Sequence, residues 1–385
     1  MEFREIVLKV TSLCNLNCSY CYVFNKGDLS YQNEPKFISD EIVIATLNAI
    51  EKHCIVNQTK DFLVIFHGGE PLLIGKKFYT DFVKHSKDII KSTKLRLALQ
   101  TNGTLLNDVW CKLFNDLGII VGTSLDGTMK ANQNRVFRKN NSSAYTKIVN
   151  GIDTLNKVNG CASLLSVINV NEDPIELYKH FKFLKVTFVD FLFPDSTCDL
   201  PILNLDLVGE WLIQLFDFWY DDIGNDKIEI RSFDLIVNLF LGNETRGNEV
   251  FGLKNNTTIS IKTDGQIESV DSLKICGDGF TRTDFNVLKN ELSDICENEL
   301  IQKYYYAHQD AVLCDKCIDC VIKSICGGGQ LSHRYSKVNN FNNPSVYCTQ
   351  ISKLLVHVQN RIVDDLPFEI ISDTNINKLS ITDFQ

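Results

Sequence analysis

The 385-residue sequence has no uncharged apolar run approaching the roughly 20 residues that cross a bilayer as a helix, so a membrane partner is not expected. It also lacks a targeting signal. The opening MEFREIVLKV has no basic start followed by a long apolar core, and a cytoplasmic location is the expectation. Positive charge is not in excess either: the net charge of -9 argues against a phosphate-backbone partner and permits basic or neutral substrates. Nucleic acid is therefore not expected. Internal repeats, low-complexity tracts and long linkers are missing too. What remains, with 44% hydrophobic and 23% charged residues, is an ordinary globular chain long enough for one large domain and a smaller one.

Cysteine, by contrast, is abundant, at 14 residues. A compartment that keeps thiols reduced gives clustered cysteines to metal rather than to disulfides. In "LCNLNCSYCY", Cys14, Cys18 and Cys21 follow a strand in a C-x3-C-x2-C spacing. Three thiolates can hold three corners of an iron-sulfur cubane and leave one iron open. Catalytic sites keep such an open position, whereas structural sites close it. Incidental buried thiols and a zinc site are the competing readings, and zinc would want a fourth ligand nearby; His53 and His67 are far off in sequence.

A second array lies near the C-terminus. Cys317, Cys320 and Cys326 are spaced C-x2-C-x5-C, and Cys348 follows after a loop. Four thiolates complete a [4Fe-4S] cluster with no open iron, or bind zinc as a ribbon. Cys276 and Cys314 are spare, and Cys314 can replace a neighbouring ligand. Cys54, Cys111, Cys161, Cys198 and Cys296 stand alone and are expected to be small buried hydrophobes.

From Glu5 to about Arg231, short apolar runs alternate with amphipathic stretches. The strand candidates are 5–11, 62–69, 95–103, 119–127, 163–170 and 186–194, most of them closed by turn formers. Between them, "SDEIVIATLNAIEKH" has Ser39 or Asp40 to cap its first turn, and "SAYTKIVNGIDTLNKV" shows helical spacing. Six strand-helix units imply an α/β fold with a parallel sheet curled into a partial or complete barrel, whose chemistry sits at the carboxyl ends of the strands. "HGGEP", "QTNG" and "SLDG" fall at those ends. The expected division is a barrel over 1–231, a connecting helical segment over 232–256, and a cysteine-bearing domain with a helical tail over 257–385. Within the last, "NNTTISIKTDGQIESVD" predicts a hairpin turning at Asp264-Gly265 whose edge can take a peptide as an added strand, and the tail from Thr374 is expected to be loosely held.

The cysteine loop after the first strand resembles the signature of the radical S-adenosylmethionine (SAM) superfamily, which implies a partial (βα)6 TIM-like barrel. The resemblance extends through "HGGEP": Gly68, Gly69 and Glu70 match the motif that meets the SAM amino group. Independently of the name, paired glycines admit a close ligand and a carboxylate suits an ammonium. The resemblance also implies an aromatic, Tyr20, whose backbone lies near adenine. Thr101 and Asn102, then Ser124 and Asp126, sit where related enzymes place ribose and carboxylate contacts. Turn and capping roles are the alternative for each. Asn169 is a candidate nucleoside contact and Arg135 a candidate partner of the SAM carboxylate.

The C-terminal array resembles the SPASM extension of peptide-modifying radical SAM enzymes. Full SPASM domains carry two auxiliary clusters; here the position four after Cys326 is Gln330 and the hairpin before "TDG" lacks cysteine, so one auxiliary [4Fe-4S] cluster is expected. "CGGGQLSHRYS", "FNNPSVYC" and "DGQIESVDSLK" are similar to the FxsB/GrrM maturases, associated with three-residue cyclophanes in ribosomal peptides. The resemblance thus implies a 5′-deoxyadenosyl radical that takes hydrogen from a β-carbon of a precursor peptide, an aromatic ring closing the crosslink. It implies as partners the peptide and a reducing protein such as flavodoxin or ferredoxin. Asp264, Asp271, His333 and Tyr335 are candidates for the base that takes the ring proton. No leader-binding module is expected ahead of residue 14. The alternatives are a formylglycine-forming sulfatase maturase, a thioether-forming enzyme, and a non-catalytic metal scaffold.

Overall fold

The computed structural model describes residues 1–243, 245, 247–367, 369 and 376–384. In chain order its elements are β1 (Glu5–Thr11), α1 (Asp40–Asn57), β2 (Asp61–Gly68), α2 (Lys76–Ile89), β3 (Lys94–Thr101), α3 (Asp108–Leu117), β4 (Ile119–Ser124), α4 (Tyr145–Asn159), β5 (Ala162–Val167), α5 (Pro174–Phe183), β6 (Val186–Leu192), α6 (Leu207–Tyr220), β7 (Glu229–Ile230) and α7 (Arg231–Phe240). After these come β8 (Thr258–Ile261), β9 (Ile267–Glu268), α8 (Glu299–Tyr305), α9 (Asp315–Ile318), α10 (Lys323–Cys326) and α11 (Cys348–Asp365). Two compact units result. The first comprises Met1–Ser166, Leu184–Val186 and Thr257–Tyr305, and the second Val167–Phe183, Thr187–Asn256 and Tyr306–Gln385.

In the first unit the strands run in the order β5-β4-β3-β2-β1-β8-β9. Neighbours from β5 to β1 pair in parallel, which requires a helical crossover between each pair. The helices start where the sequence says they can: the Ser39 side chain accepts from the Ile42 N–H, and Asn107 does the same for Trp110. Alternate residues of β2, Phe62, Val64 and Phe66, are buried. The Phe66 ring meets Tyr79 and Phe82 of α2 edge-on, at 5.3 and 4.7 Å between centroids. Tyr79 continues to Phe114 of α3 at 5.1 Å. Such edge contacts add about 0.5–1.5 kcal/mol each to the burial of the rings.

The hairpin β8–β9 joins this unit. β8 lies parallel to β1, with Glu5 opposite Thr258, and antiparallel to β9. The turn falls at the expected Asp264-Gly265, where Gly265 has φ +82° and Asp264 Oδ1 accepts from the Gln266 N–H at 3.0 Å. The hairpin's outer edge is not open to a peptide at Ile267, whose N–H donates to Phe285 O at 2.9 Å and whose carbonyl accepts from the Thr283 hydroxyl. Expectation and structure differ here because residues 281–287 return along β9.

In the second unit, β6 and β7 pair in parallel and α11 packs on α6. Gly209 permits that approach, since a Cβ there would lie 3.3 Å from Gln350 Cα. The Tyr347 ring lies 5.0 Å from Phe193 and 4.8 Å from His333, and its hydroxyl donates to Pro194 O at 2.7 Å. Thr374 and Asn375, where the tail begins, lie outside the described residues; further on, the Leu379 N–H donates to Gln359 of α11 at 3.1 Å. No helix among the described residues is long and apolar enough to cross a membrane. Of the isolated cysteines, Cys54 and Cys111 are buried as expected, but Cys161 and Cys198 are exposed because they sit in connections rather than inside an element.

Candidate active site

The loop carrying Cys14, Cys18 and Cys21 leaves β1 and is held mostly by backbone. Cys21 N–H donates to Cys18 O at 3.0 Å, and the Asn25 side chain donates to Cys18 O at 2.7 Å. A segment named in the sequence only for Arg135 fixes the rest: Asn17 N–H donates to Val136 O, Ser19 N–H to Asn134 O, and Arg138 N–H to Asn15 O. Arg138 also lies over the Phe24 ring at 5.2 Å. Backbone partners leave no residue signature, so nothing in "NQNRVFRK" announces this role.

The paired glycines answer to the chain itself. A Cβ on Gly68 would lie 2.2 Å from Thr11 O, and one on Gly69 2.1 Å from Leu13 O. Gly68, at φ +140°, further excludes a side chain. The N–H groups of Gly69 and Glu70 donate to Thr11 O and Leu13 O, stitching the end of β2 to the root of the cysteine loop.

Glu70 is completely buried. Its carboxylate accepts from Leu72 N–H at 3.0 Å, the Thr101 hydroxyl at 2.6 Å and Asn102 N–H at 2.8 Å. Burial raises its pKa, and those three donors oppose the rise. Asn102 in turn directs its side-chain N–H to Asn15 at 2.8 Å and toward Cys14 Sγ at 3.9 Å, while Leu16 N–H donates to the same sulfur at 3.4 Å. N–H donors on a cysteine sulfur are one of the levers by which proteins tune iron-sulfur ligands. Burial, with the nearby Glu70, Cys18 and Cys21, pushes the Cys14 thiol up to about 12; burial pushes Cys18 up to about 11, Arg135 pulling the other way. Thiols desolvated in this way stay protonated until a cationic centre binds the sulfur and displaces the proton to a base or solvent, which fits iron-sulfur ligands.

Tyr20, Asp126 and Arg135 form a second knot. The Tyr20 hydroxyl donates to Asp126 at 2.5 Å and accepts from Arg135 at 3.2 Å, and Arg135 lies 3.6 Å from the Asp126 carboxylate. Arg135 is only 5% exposed, so it is not a solvated surface group. Its Nε has no hydrogen-bond partner. Ser124 accepts from the Gln100 side chain at 2.9 Å. Asn169 belongs to the second unit, where its side chain accepts from Asn171 N–H at 3.2 Å, as a turn-capping residue does.

A buried ionic network occupies the first unit beneath the hairpin. Lys9 of β1 pairs with Asp271 and contacts His67 at 3.0 Å, Lys262 pairs with Glu34 at 3.0 Å, and Lys274 pairs with Asp28 at 2.6 Å and Glu268 at 3.6 Å. Asp271 Oδ1 has no hydrogen-bond partner. Of the other base candidates, Asp264 is used in its turn, and burial drops the His333 pKa to about 3.

Cys314, Cys317, Cys320, Cys326 and Cys348 gather within the second unit. Cys314 Sγ lies 3.6 Å from Cys317 Sγ. Cys317 feels Cys326 and Cys348, and Cys326 feels Cys348 and Cys320. Burial raises all three of Cys317, Cys326 and Cys348, Cys326 to about 12. Gly327, Gly328 and Gly329 follow Cys326 at φ +63°, +82° and +73°, a left-handed turn that brings Gly327 against Gly252 O, where a Cβ would lie 2.1 Å away. Cys276 lies apart, in the first unit.

Residues 8–182 match the family described as the radical SAM superfamily. The chain is similar to that family over this stretch and shares its fold. Over 374 residues, 90% of this chain and 93% of the other, the sequence is 26% identical to a cysteine-type anaerobic sulfatase-maturating enzyme of Clostridium novyi. Among solved structures, the radical SAM fold is shared with native anSMEcpe holding AdoMet and the Cp18Cys peptide, at TM-score 0.78, 22% identity, and 94% and 98% coverage of the two chains. It is shared also with Streptococcus suis SuiB bound to its precursor peptide SuiA, at TM-score 0.60, 15% identity, and 90% and 76% coverage.

Proposed function

We propose that this protein is a radical SAM enzyme that modifies a ribosomally made peptide, joining an aromatic ring to a β-carbon of the same peptide. The observation that carries the first part is the cysteine loop itself. Three thiols, those of Cys14 and Cys18 desolvated, sit on a loop stitched to β2 through Gly69 and Glu70; they offer a cubane three ligands and leave one iron for an external ligand. When bound, the cluster and SAM supply a carbon radical able to take hydrogen from an unactivated carbon. This chain's residues position that chemistry. Glu70 fixes the turns at Leu72 and Asn102, Asn102 and Leu16 direct N–H groups at Cys14, and the Tyr20–Asp126–Arg135 knot sets the residue between Cys18 and Cys21. Glu70, Thr101, Asn102, Ser124, Asp126 and Arg135 remain candidate SAM contacts, and an external protein such as flavodoxin or ferredoxin is the proposed electron source.

Cys317, Cys320, Cys326 and Cys348 are the proposed ligands of one auxiliary [4Fe-4S] cluster, with Gln330 standing where a ligand to a further cluster would be. That single-cluster set favours the crosslinking reading. Closing the crosslink releases one proton and one electron from the ring: Asp271, with one carboxylate oxygen unengaged and the other paired with Lys9, is the proposed proton acceptor, and the auxiliary cluster is the proposed electron acceptor. Formylglycine formation is the second reading, favoured by the sulfatase-maturating relative that spans 90% of the chain. Incubation of the reconstituted enzyme with SAM, dithionite and peptides encoded beside its gene separates the two. A product lighter by two hydrogens and inert to aldehyde reagents supports the crosslink; an aldehyde-reactive product overturns it in favour of the maturase. Failure to release 5′-deoxyadenosine with both clusters in place overturns both.

A further inference from the structure

Among the described residues Arg334 is the largest side chain that is completely buried, and no carboxylate pairs with it. Its guanidinium donates to Ala307 O at 2.8 Å and to Val312 O at 3.4 Å, and its Nε–H has no partner. Two neutral carbonyls do not offset the desolvation of a buried cation. The electrostatic partners it does have are Cys317, Cys314 and Cys326. The fold takes trouble to keep it there. Gly328 runs beside the guanidinium, where a Cβ would lie 3.4 Å from Arg334 Nη1 and 2.4 Å from Leu313 Cδ2, and His308 pins Gly327 O at 2.7 Å. His308 and His333, the other buried bases nearby in sequence, are kept neutral by burial.

We propose that Arg334 is the counter-charge of the auxiliary cluster: a positioning residue whose fixed cation raises the cluster's reduction potential and whose free Nε–H points to the cluster as its acceptor. The proposal rests on the reading of Cys317, Cys320, Cys326 and Cys348 as cluster ligands. A tetrathiolate cubane is anionic in each of its working states, so a fixed cation favours the more negative, reduced one. Arginine suits the place better than lysine because its charge survives burial and its planar fork reaches two carbonyls while leaving a third donor.

The test uses the full chain carrying Cys14→Ala, Cys18→Ala and Cys21→Ala, so that only the auxiliary cluster contributes signal. Iron analysis comes first: about four irons per chain sustain the auxiliary reading, and none overturns that reading and the Arg334 proposal together. With iron retained, Arg334→Gln is expected to shift the reduction equilibrium at least tenfold toward the oxidised state, about 59 mV for one electron, and Arg334→Lys by less. An unchanged potential with a full cluster overturns the role of Arg334 alone. If Arg334→Gln does not fold, the same chain with unchanged Arg334 and 15N-labelled arginine is reduced and examined by pulsed EPR. A 15N coupling to the cluster supports the contact, and its absence overturns it.

Discussion

The two units bury cations in opposite ways. In the first, Lys9, Lys262 and Lys274 each face a carboxylate, so the charges cancel within the protein. In the second, Arg334 is equally buried but faces thiols. Their thiol groups differ as well: three cysteines sit on a partly exposed loop laced by backbone hydrogen bonds, whereas five gather around α9, α10 and the start of α11. A network in which each lysine meets a carboxylate needs no counter-charge from outside. A cation held against cysteines has no such partner within the described protein and is the feature that the proposed cluster would answer.

The sharpest way to break this contrast is to remove one thiol set. Replacing Cys14, Cys18 and Cys21 together by Ala should abolish 5′-deoxyadenosine formation and lower iron from about eight to about four per chain. Next in size is Gly69→Ala, whose Cβ would lie 2.1 Å from Leu13 O. It should displace the cysteine loop and lower SAM cleavage by about a hundredfold or more, the scale expected when a positioning element moves by an ångström. In the second unit, Cys326→Ser should lose the auxiliary irons while Cys314→Ser keeps them; equal losses would make Cys314 a ligand, as its 3.6 Å approach to Cys317 permits.

The smallest effect concerns the self-neutralised side. Burial raises the Asp28 carboxyl, but the Lys274 ammonium and the N–H groups of Gly279 and Ser30 outweigh it and bring it down to about 2 from the ordinary 3.8. A depressed folded pKa contributes stability that is present above 3.8 and lost as pH falls through about 2, here about 2 kcal/mol. Urea unfolding of Asp28→Asn should therefore show a deficit of at least that size at pH 6, shrinking toward pH 2. A constant deficit would mean that Lys274 does not govern Asp28.

The six barrel strands were legible because buried parallel strands are short apolar runs stopped by turn residues; β1 begins and ends where its pattern does. Ser39 was readable as a cap because capping is a local contact. The cysteine loop was legible from spacing alone. What was hidden depends on distant partners. Asn134 and Val136 serve through backbone carbonyls that every residue has. Lys9 and Arg334 carry residue types whose ordinary place is the surface, so no composition or period marks them as interior. The glycines of "HGGEP" read as room for a ligand, yet their tightest demand is the carbonyls of the protein's own loop.

Because β8 and β9 come from residues 258–268 yet lie beside β1, the unit that carries the N-terminal cysteine loop is not encoded in one uninterrupted stretch. A gene cut before codon 257 would leave the inner flank of β1 bare, with Lys9 stripped of Asp271, and should yield an aggregating fragment rather than a minimal catalyst. Domain-swap engineering of this scaffold must therefore carry both gene segments together.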